Sequence, residues 1–551
     1  MYYDDPYSTL DRWIKNSISD DVPTKEFIHK GYSKFFSLKI WIYELFCLEF
    51  PDLRNNKRVK FLATKHHLSH ASSAFYPSPF SEAVIITIDG VGEWTSLSIG
   101  IGKDNHIQIF DEIRYPHSLG LFYSAFTYYC GFKVNSGDYK FMGLAPYGKP
   151  IYYDVIKKYL IDIKDDGSFR LNLDYFDFQN GRTMINEKKM QVLFGGERRL
   201  PETEITKREM DIASSVQKVT EEIILKIASY AKNKYGHHID CLCLAGGVAL
   251  NCVANGKLAQ SGLYKKIWVQ PASGDAGGSL GAALFAYFYL ENNPRITNEV
   301  LDSQQGSYLG PQYDDQDIKE FLHSNNVRYH QYNNTDKKIA ELLVQQKIIG
   351  IFRGRMEFGP RSLGNRSIIA DPRSPQMQSI LNLKIKHRES FRPFAPSVLL
   401  EDAKEYFELP IPSPYMLICA KVKSSFQNSF DLHEMLNKSN MNMISVINTP
   451  RSLLPAITHV DFSARIQTVD GLSNPRFANL IKEFKAITGC GVLVNTSFNV
   501  RGEPIVCSIE DAFNCFMNTE LDVLVLENFV IYKSEQANST FKKRTISYEL
   551  D

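Results

Sequence analysis

Nine basic side chains fall between Ile351 and Phe394 of a 551-residue chain whose formal net charge is only +1. They are Arg353, Arg355, Arg361, Arg366, Arg373, Lys384, Lys386, Arg388 and Arg392, and only Glu357, Asp371 and Glu389 oppose them within the window. Cations at this density are hard to fold unless something anionic sits among them. Guanidinium forks match phosphate oxygens two bonds at a time. The window therefore predicts a pocket for a polyphosphate or an acyl phosphate. Gly354, Gly359-Pro360, Gly364 and Pro372 punctuate it as ordered turns, not as a basic tail.

The rest of the chain narrows the class. A net charge near zero gives no global attraction to nucleic acid or acidic lipid, so the basic window is a local device. The length exceeds what one core holds. A polar stretch from Asn292 to Gln312, carrying Pro294, Gly306, Gly310 and Pro311, marks the expected boundary between domains at 1–305 and 306–551. Residues 424–454 lack periodicity and read as an irregular, solvated insertion. Nine cysteines without a CxxC pair, Cys241 and Cys243 among them in an apolar strand-like run, fit a reducing cytoplasm. The opening Met1-Tyr-Tyr-Asp-Asp-Pro lacks a signal-peptide pattern, and no apolar run is long enough to span a bilayer.

Hydrophobic periodicity predicts helices before residue 60, a β-meander over Ala83–Asp89, Ser96–Ile101 and Ile107–Phe110, and a helix over Asp211–Lys232. Strands follow at Cys241–Ala245 and Lys266–Val269, then a helix from Asp275 to Leu290. The second half opens with helices and a strand at Ile348–Phe352. It closes with strands near Val492–Asn495, Val523–Leu526 and Val530–Tyr532.

The first half carries its own chemistry. His66 and His70 are four apart, hence on one face of a helix. With Asp275, at the start of a helix after a strand, they make a two-His, one-carboxylate set suited to Fe(II) or Zn(II) with exchangeable positions. The pair alone does not separate a metal platform from ordinary polar helix residues. Asp89-Gly90 follows a strand, and Gly246-Gly247 leads to Asn251 at a strand–helix junction. Such loops offer backbone N–H groups to phosphate. Their order matches that of the actin/Hsp70/sugar-kinase nucleotide fold.

Taken together, several motifs resemble the O-carbamoyltransferases of the nodulation-factor and antibiotic-tailoring type. They are His66-His-Leu-Ser-His-Ala71, Asp89-Gly-Val-Gly-Glu93, Gly137-Asp-Tyr-Lys through Pro146-Tyr-Gly148, and Gly246-Gly-Val-Ala-Leu-Asn251. The second half adds Gly354-Arg through Asn365-Arg-Ser367, Arg388-Glu-Ser-Phe-Arg-Pro-Phe394, His459-Val-Asp461, and Asn495-Thr-Ser-Phe-Asn-Val-Arg-Gly-Glu-Pro504.

The resemblance implies a mixed α/β chain, with a metal-binding transferase domain of the actin/Hsp70/sugar-kinase (ASKHA) type followed by a YrdC-like α/β domain. It implies His66, His70 and Asp275 as metal ligands, with Fe(II) or another divalent ion. Asp89, Gly90, Gly246, Gly247 and Asn251 would be nucleotide-loop residues. Arg361, Arg366, Lys386 and Arg392 would surround carbamoyl phosphate and ATP, the latter with Mg2+, and Arg465 and Asn495 fall at further pocket positions. The implied activity is formation of carbamoyl-adenylate and transfer of the carbamoyl group to a hydroxyl of a small-molecule acceptor, sugar or natural-product-like. It implies no nucleic-acid or membrane partner. Whether the chain pairs as a homodimer is open.

Two alternatives stand beside this reading. One is a truncated, silent nucleotide-binding homologue. The other is a sugar kinase, which the His66/His70 pair and the arginine-rich second half disfavour. The chain begins where the resembled family already has a strand and a Gly-rich turn with a His-Asp pair, so an incomplete and less stable first sheet is expected. Asp138 stands where that family usually has Glu.

Overall fold

Six consecutive apolar or small residues, Ala83–Ile88, predict a strand buried on both faces. The computed structural model places them in a central strand, β1 (Glu82–Gly92), with Val84, Ile85 and Ile86 at most 2% exposed. Residues 12, 42–54, 56, 63–179, 183–387, 391–432, 434–435 and 443–542 are described, and they form a mixed α/β fold. Of the helices expected before residue 60, α1 (Ile42–Glu49) lies within them; most of that region, and Arg388 and Glu389, lie outside.

The first sheet has the order β3-β2-β1-β6-β7. Strands β2 (Thr95–Lys103) and β3 (His106–Arg114) complete an antiparallel meander with β1, while β6 (Cys241–Ala245) and β7 (Lys266–Val269) continue it in parallel. A separate small hairpin joins β4 (Ile161–Ile163) to β5 (Phe169–Leu171). Helices α2 (His66–Phe75), α3 (Leu119–Tyr129) and α5 (Lys207–Lys234) pack against β1, and α4 (Asp138–Leu144) lies against α3 and α5. Thr206 and Glu209 close a capping box at the start of α5. Helix α6 (Cys252–Gln260) follows β6 and α7 (Ala276–Phe285) follows β7.

The second sheet has the order β11-β12-β10-β13-β9-β8-β14-β15. Its strands are β8 (Ile349–Phe352), β9 (Arg366–Ala370), β10 (Ala395–Leu399), β11 (Ile418–Lys421), β12 (Ser463–Val469), β13 (Val492–Ser497), β14 (Val523–Leu526) and β15 (Phe529–Tyr532). Two pairings, β10 with β12 and β8 with β14, are parallel; the rest are antiparallel. Helices α8 (Thr335–Val344) and α9 (Pro475–Thr488) pack on one another.

Two segments depart from their sequence reading. The polar stretch at 292–312 is no loose tether, because Gln304 and Ser307 are buried. Gln304 pairs its amide with Gln270, and the Ser307 hydroxyl donates to the Phe358 carbonyl. The 424–454 segment is not wholly solvated either. Its residues Met443–Asn448 form a helix, and Arg451 is 1% exposed. The Arg451 guanidinium donates to the carbonyls of Val446, Ile447 and Thr458 and to the Gln378 side chain. A buried guanidinium is tolerated because acceptors replace its water.

One glycine sets the approach of α7 to α2. A Cβ at Gly281 would lie 1.9 Å from the Ser69 carbonyl oxygen, deep in the α2 backbone. Gly281→Val should therefore push α7, and Asp275 just ahead of it, away from the histidines. The expected loss is about 3 kcal/mol, at the upper end for overpacking, read as a lower urea midpoint. An unchanged midpoint would show that the helices separate freely.

Candidate functional site

His66 and His70 sit where the helical spacing puts them, on the α2 face that meets the end of β1. Pairing of β1 with β2 runs regularly to Ile88↔Leu97 and then breaks until Gly92↔Thr95. Asp89 lies in that irregularity. Its Oδ2 is 2.8 Å from His66 Nε2 and 3.1 Å from His70 Nε2, and the two Nε2 atoms are 2.9 Å apart. Asp275 Oδ1 completes the group at 3.5 Å and 3.7 Å from the imidazoles. One ligand atom from each of the four residues lies within 4.8 Å of every other.

The surrounding chain holds this arrangement. The Glu93 carboxylate accepts from the His66 backbone N–H at the exposed start of α2. A Cβ on Gly92 would strike the His66 ring at 2.0 Å, so the strand end must carry no side chain there. The middle histidine, His67, faces the sheet instead. Its Nε2–H donates to the Thr95 carbonyl, and Nδ1 takes the Thr87 hydroxyl. Burial, with His70 and His66 alongside, pushes its imidazolium down to about 3, so it is a neutral anchor. Burial alone would raise the Asp89 carboxyl, but the bonds from His66 and His70 outweigh it and hold that carboxyl well below the usual range.

The sequence reading assigned Asp89, Gly90, Gly246, Gly247 and Asn251 to nucleotide loops. The structure gives several of them other partners. Asp89 faces the histidines, and the Gly247 N–H donates to its Oδ1 at 3.0 Å. Gly246, at φ +89°, has no room for a Cβ, which would lie 2.3 Å from the Ile88 carbonyl oxygen. Asn251 caps α6 through Ala254 N–H and exchanges amide bonds with Gln217. Asp89, Gly90, Gly247, Asn251 and Asp275 do line a cavity of about 540 Å³.

Two further residues of that cavity come from the start of α4. The Asp138 carboxylate is bonded by the Thr127 and Ser124 hydroxyls, and burial still raises its pKa. Tyr139 stands beside it and, with Met142, also lines a second cavity of about 380 Å³. Asp138 was visible in the sequence only as a departure from a motif; its place in the cavity depends on how α4 packs. His117 accepts the Leu171 N–H through Nδ1.

The second cavity gathers Arg361, Arg392, Arg465 and Asn495. Arg361 lies 4.4 Å from the Tyr139 ring centroid, and its Nε and Nη2 have no hydrogen-bond partner among the described residues. Burial, then the neighbouring Arg465, push its guanidinium down to about 10. Asn495 is fully buried. Its amide donates to Ser397 and Gln467 while its Oδ1 has no partner among the described residues.

Most of the basic window points elsewhere, which corrects the expectation that one anion gathers it. Arg366 is fully buried, away from the cavity lining. It donates to the carbonyls of Arg353, Gly354, Asn365 and Pro311 and lies 3.6 Å from the Phe352 ring centroid. Lys386 donates to the carbonyls of Ser497 and Asn499 and to the Asn499 side chain, so it fixes the turn after β13 from behind. Arg353 pairs with Asp336, Arg373 with Asp371 and Lys384 with Glu520. Glu357 accepts the backbone N–H groups of Leu363, Asn365 and Arg366. Arg465 comes from β12, about seventy residues beyond the window.

The cavity wall is also where the two halves meet. The Tyr147 hydroxyl donates to the Phe391 carbonyl at 2.8 Å. His459 Nε2–H donates to the Gly143 carbonyl at 2.9 Å, and its Nδ1 accepts the Val460 N–H at 2.7 Å. Only the neutral tautomer satisfies both bonds. Burial lowers the His459 pKa, with Asp461 opposing and Arg451 reinforcing the shift. A depressed pKa means that the unfolded chain binds the proton more readily. The contribution of His459 should thus be full above about pH 6.5 and decline below it. The wild-type minus His459→Gln difference in urea midpoint should shrink between pH 7.5 and 5; a constant difference would refute this.

Among the described residues, no helix is long and apolar enough to cross a membrane. Residues 9–284 match the family described as "Carbamoyltransferase N-terminus" and residues 340–533 match "Carbamoyltransferase C-terminus". An uncharacterised protein of Synechocystis is 50% identical over 97% of this chain and 87% of its own length. Nodulation protein NolNO of Sinorhizobium fredii is 35% identical over 92% of this chain and 69% of its own. Nodulation protein NolO of Bradyrhizobium diazoefficiens is 36% identical, with 85% and 78% covered. With both family descriptions matched along its length, the chain belongs to the carbamoyltransferases and is an enzyme of that class.

Proposed function

We propose that the protein makes carbamoyl-adenylate in the arginine-lined cavity and passes the carbamoyl group to a small-molecule hydroxyl in the cavity beside the histidines. On this reading the first half is an ASKHA-type transferase domain and the second a YrdC-like activating domain. The observation that carries it is Arg361, which lines a cavity shared with Arg392 and Arg465 while its Nε and Nη2 have no hydrogen-bond partner among the described residues. That cavity shares the wall formed by Tyr139 and Met142 with the one beside His66, His70, Asp89 and Asp275.

Water first cleaves carbamoyl phosphate: it bonds to the phosphorus as the bridging P–O bond breaks, leaving carbamate and inorganic phosphate. A carbamate oxygen then attacks the α-phosphorus of ATP, the bond to the β-phosphate oxygen breaks, and pyrophosphate leaves. The protein's share is alignment and neutralisation of spreading phosphate charge. Arg361, Arg392 and Arg465 supply the cations, and the Asn495 amide lies at the same wall. Lys386 and Arg366 act by holding the turn after β13 and the loops around residues 353–365, not by touching substrate.

In the cavity beside the histidines the acceptor oxygen attacks the carbamoyl carbon and AMP leaves. The Asp138 carboxylate, half-buried and bonded by two hydroxyls, is positioned to receive the acceptor's proton. Two imidazoles and two carboxylates within ligand distance of one point suit a divalent ion. When bound there, it would supply Lewis-acid stabilisation of phosphate charge. Here the Gly247 N–H and the Thr87–His67 anchor orient the residues that would hold it.

The test is carbamoyl-phosphate-dependent exchange of labelled pyrophosphate into ATP. Exchange that requires carbamoyl phosphate supports the reading. Exchange without it, or none in folded protein, would end it.

A further inference from the structure

The cavity that holds Arg361 also holds two thiols for which the chemistry above has no use. Cys252 opens α6 in the first half and Cys419 lies in β11 of the second. Both are free, and their sulfurs are 3.3 Å apart. Rigid elements hold them there. A Cβ on Gly256 would lie 2.0 Å from the Cys419 carbonyl oxygen, so α6 rests directly on the β11 backbone. The Asn255 amide stitches the two by donating to the Leu417 carbonyl at 3.0 Å and to Ala249 at 2.7 Å. Both cysteines line the cavity, which opens a path for a small oxidant.

The two thiols are chemically unequal. The hydrogen bond from Cys419 pulls the Cys252 thiol down to about 6 against burial, and Arg465 and Arg361 add to the pull. The same contact, with burial, pushes Cys419 well up. An ordinary cysteine loses its proton near 8.5. The contact thus favours the thiolate on one sulfur and the proton on its neighbour, the division expected of an attacking and a resolving thiol.

We propose that Cys252 and Cys419 form a redox-modifiable pair in which a hydroperoxide oxidises Cys252 and Cys419 resolves it as a disulfide joining the two halves of the chain at the cavity wall. The Cys252 thiolate attacks one peroxide oxygen, the O–O bond breaks, and sulfenic acid and hydroxide form. The Cys419 sulfur then attacks the Cys252 sulfur. The S–S bond forms, the S–O bond breaks, and the departing hydroxyl takes the Cys419 proton as water. Two thiols lose two electrons in all, and one hydrogen peroxide becomes two waters. Nothing in this chemistry depends on the carbamoyl reading, so the two stand or fall separately.

The test uses the full chain with Cys507→Ser, which removes a solvent-exposed thiol from the count. The folded protein is treated with one equivalent of hydrogen peroxide, alkylated and digested without reductant. The expected result is loss of two thiols per chain, a linked Cys252–Cys419 peptide, and full recovery with dithiothreitol. Cys419→Ser should stop at a sulfenic acid on Cys252 that dimedone traps. The rate of thiol loss should rise through about pH 6. Alkylation of both cysteines at full yield after peroxide would overturn the proposal, and so would an equal yield of the linked peptide from urea-unfolded chain. The peptide map of the chain that keeps both Cys252 and Cys419 decides the matter even where Cys419→Ser fails to fold.

Discussion

Arg361→Ala is expected to lower carbamoyl-phosphate-dependent ATP–pyrophosphate exchange by about 10²- to 10³-fold, the effect of deleting one preorganised donor at a site of developing charge. Arg361 sits over Tyr139 with Arg465 and Arg392 nearby, and burial with Arg465 already depresses its guanidinium. Like charges gathered without an anion cost the free protein stability, and a bound polyphosphate relieves that cost. Alanine at 361 should therefore leave the free protein's unfolding midpoint unchanged or raise it, while reducing the stabilisation gained on adding ATP. Arg366→Ala gives the contrast. Its guanidinium serves buried carbonyls, and stranding them costs about 1–3 kcal/mol apiece. That variant should lose folded yield before it loses any particular step. Wild-type exchange in folded Arg361→Ala would remove the basis of the proposed function.

His66→Ala or Asp89→Asn should abolish stoichiometric divalent-metal binding and cut carbamoyl transfer by on the order of 10²-fold or more, since even outer-shell changes cost 10- to 100-fold. Exchange of pyrophosphate into ATP should survive, because it needs only the other cavity. Asp275→Asn should do less. Its carboxylate is the most exposed of the four and stands 3.5–3.7 Å from the imidazoles, against 2.8–3.1 Å for Asp89. Metal content after dialysis and acceptor mass gain are the two readouts. Full metal content in the Asp89 variant would return Asp89 to a loop role. Loss of exchange together with transfer would mean that the two sites are not separable.

Local rules carried part of the site. The i, i+4 spacing alone put His66 and His70 on one face, because the helical repeat leaves no alternative. The apolar runs located the inner strands of both sheets, since a strand covered on both sides needs no polar alternation. What such rules missed is the side-chain environment. Asp89 reads as one more loop aspartate until the break in β1–β2 pairing turns it toward the histidines. Arg451 reads as a solvated residue of an irregular segment until its carbonyl partners appear.

By itself the sequence determined where cations, imidazoles and glycines lie along the chain, and so which chemistry the chain can carry. The tertiary structure decided which of those groups share a space. Arg361, Arg366 and Lys386 are one compositional feature, yet only Arg361 lines the cavity with Arg465, while the others are bound to carbonyl oxygens. The reason is physical. Charge density is a property of the chain, whereas a binding site is a set of directions, fixed only when helices and strands far apart in sequence pack and every buried donor must find an acceptor.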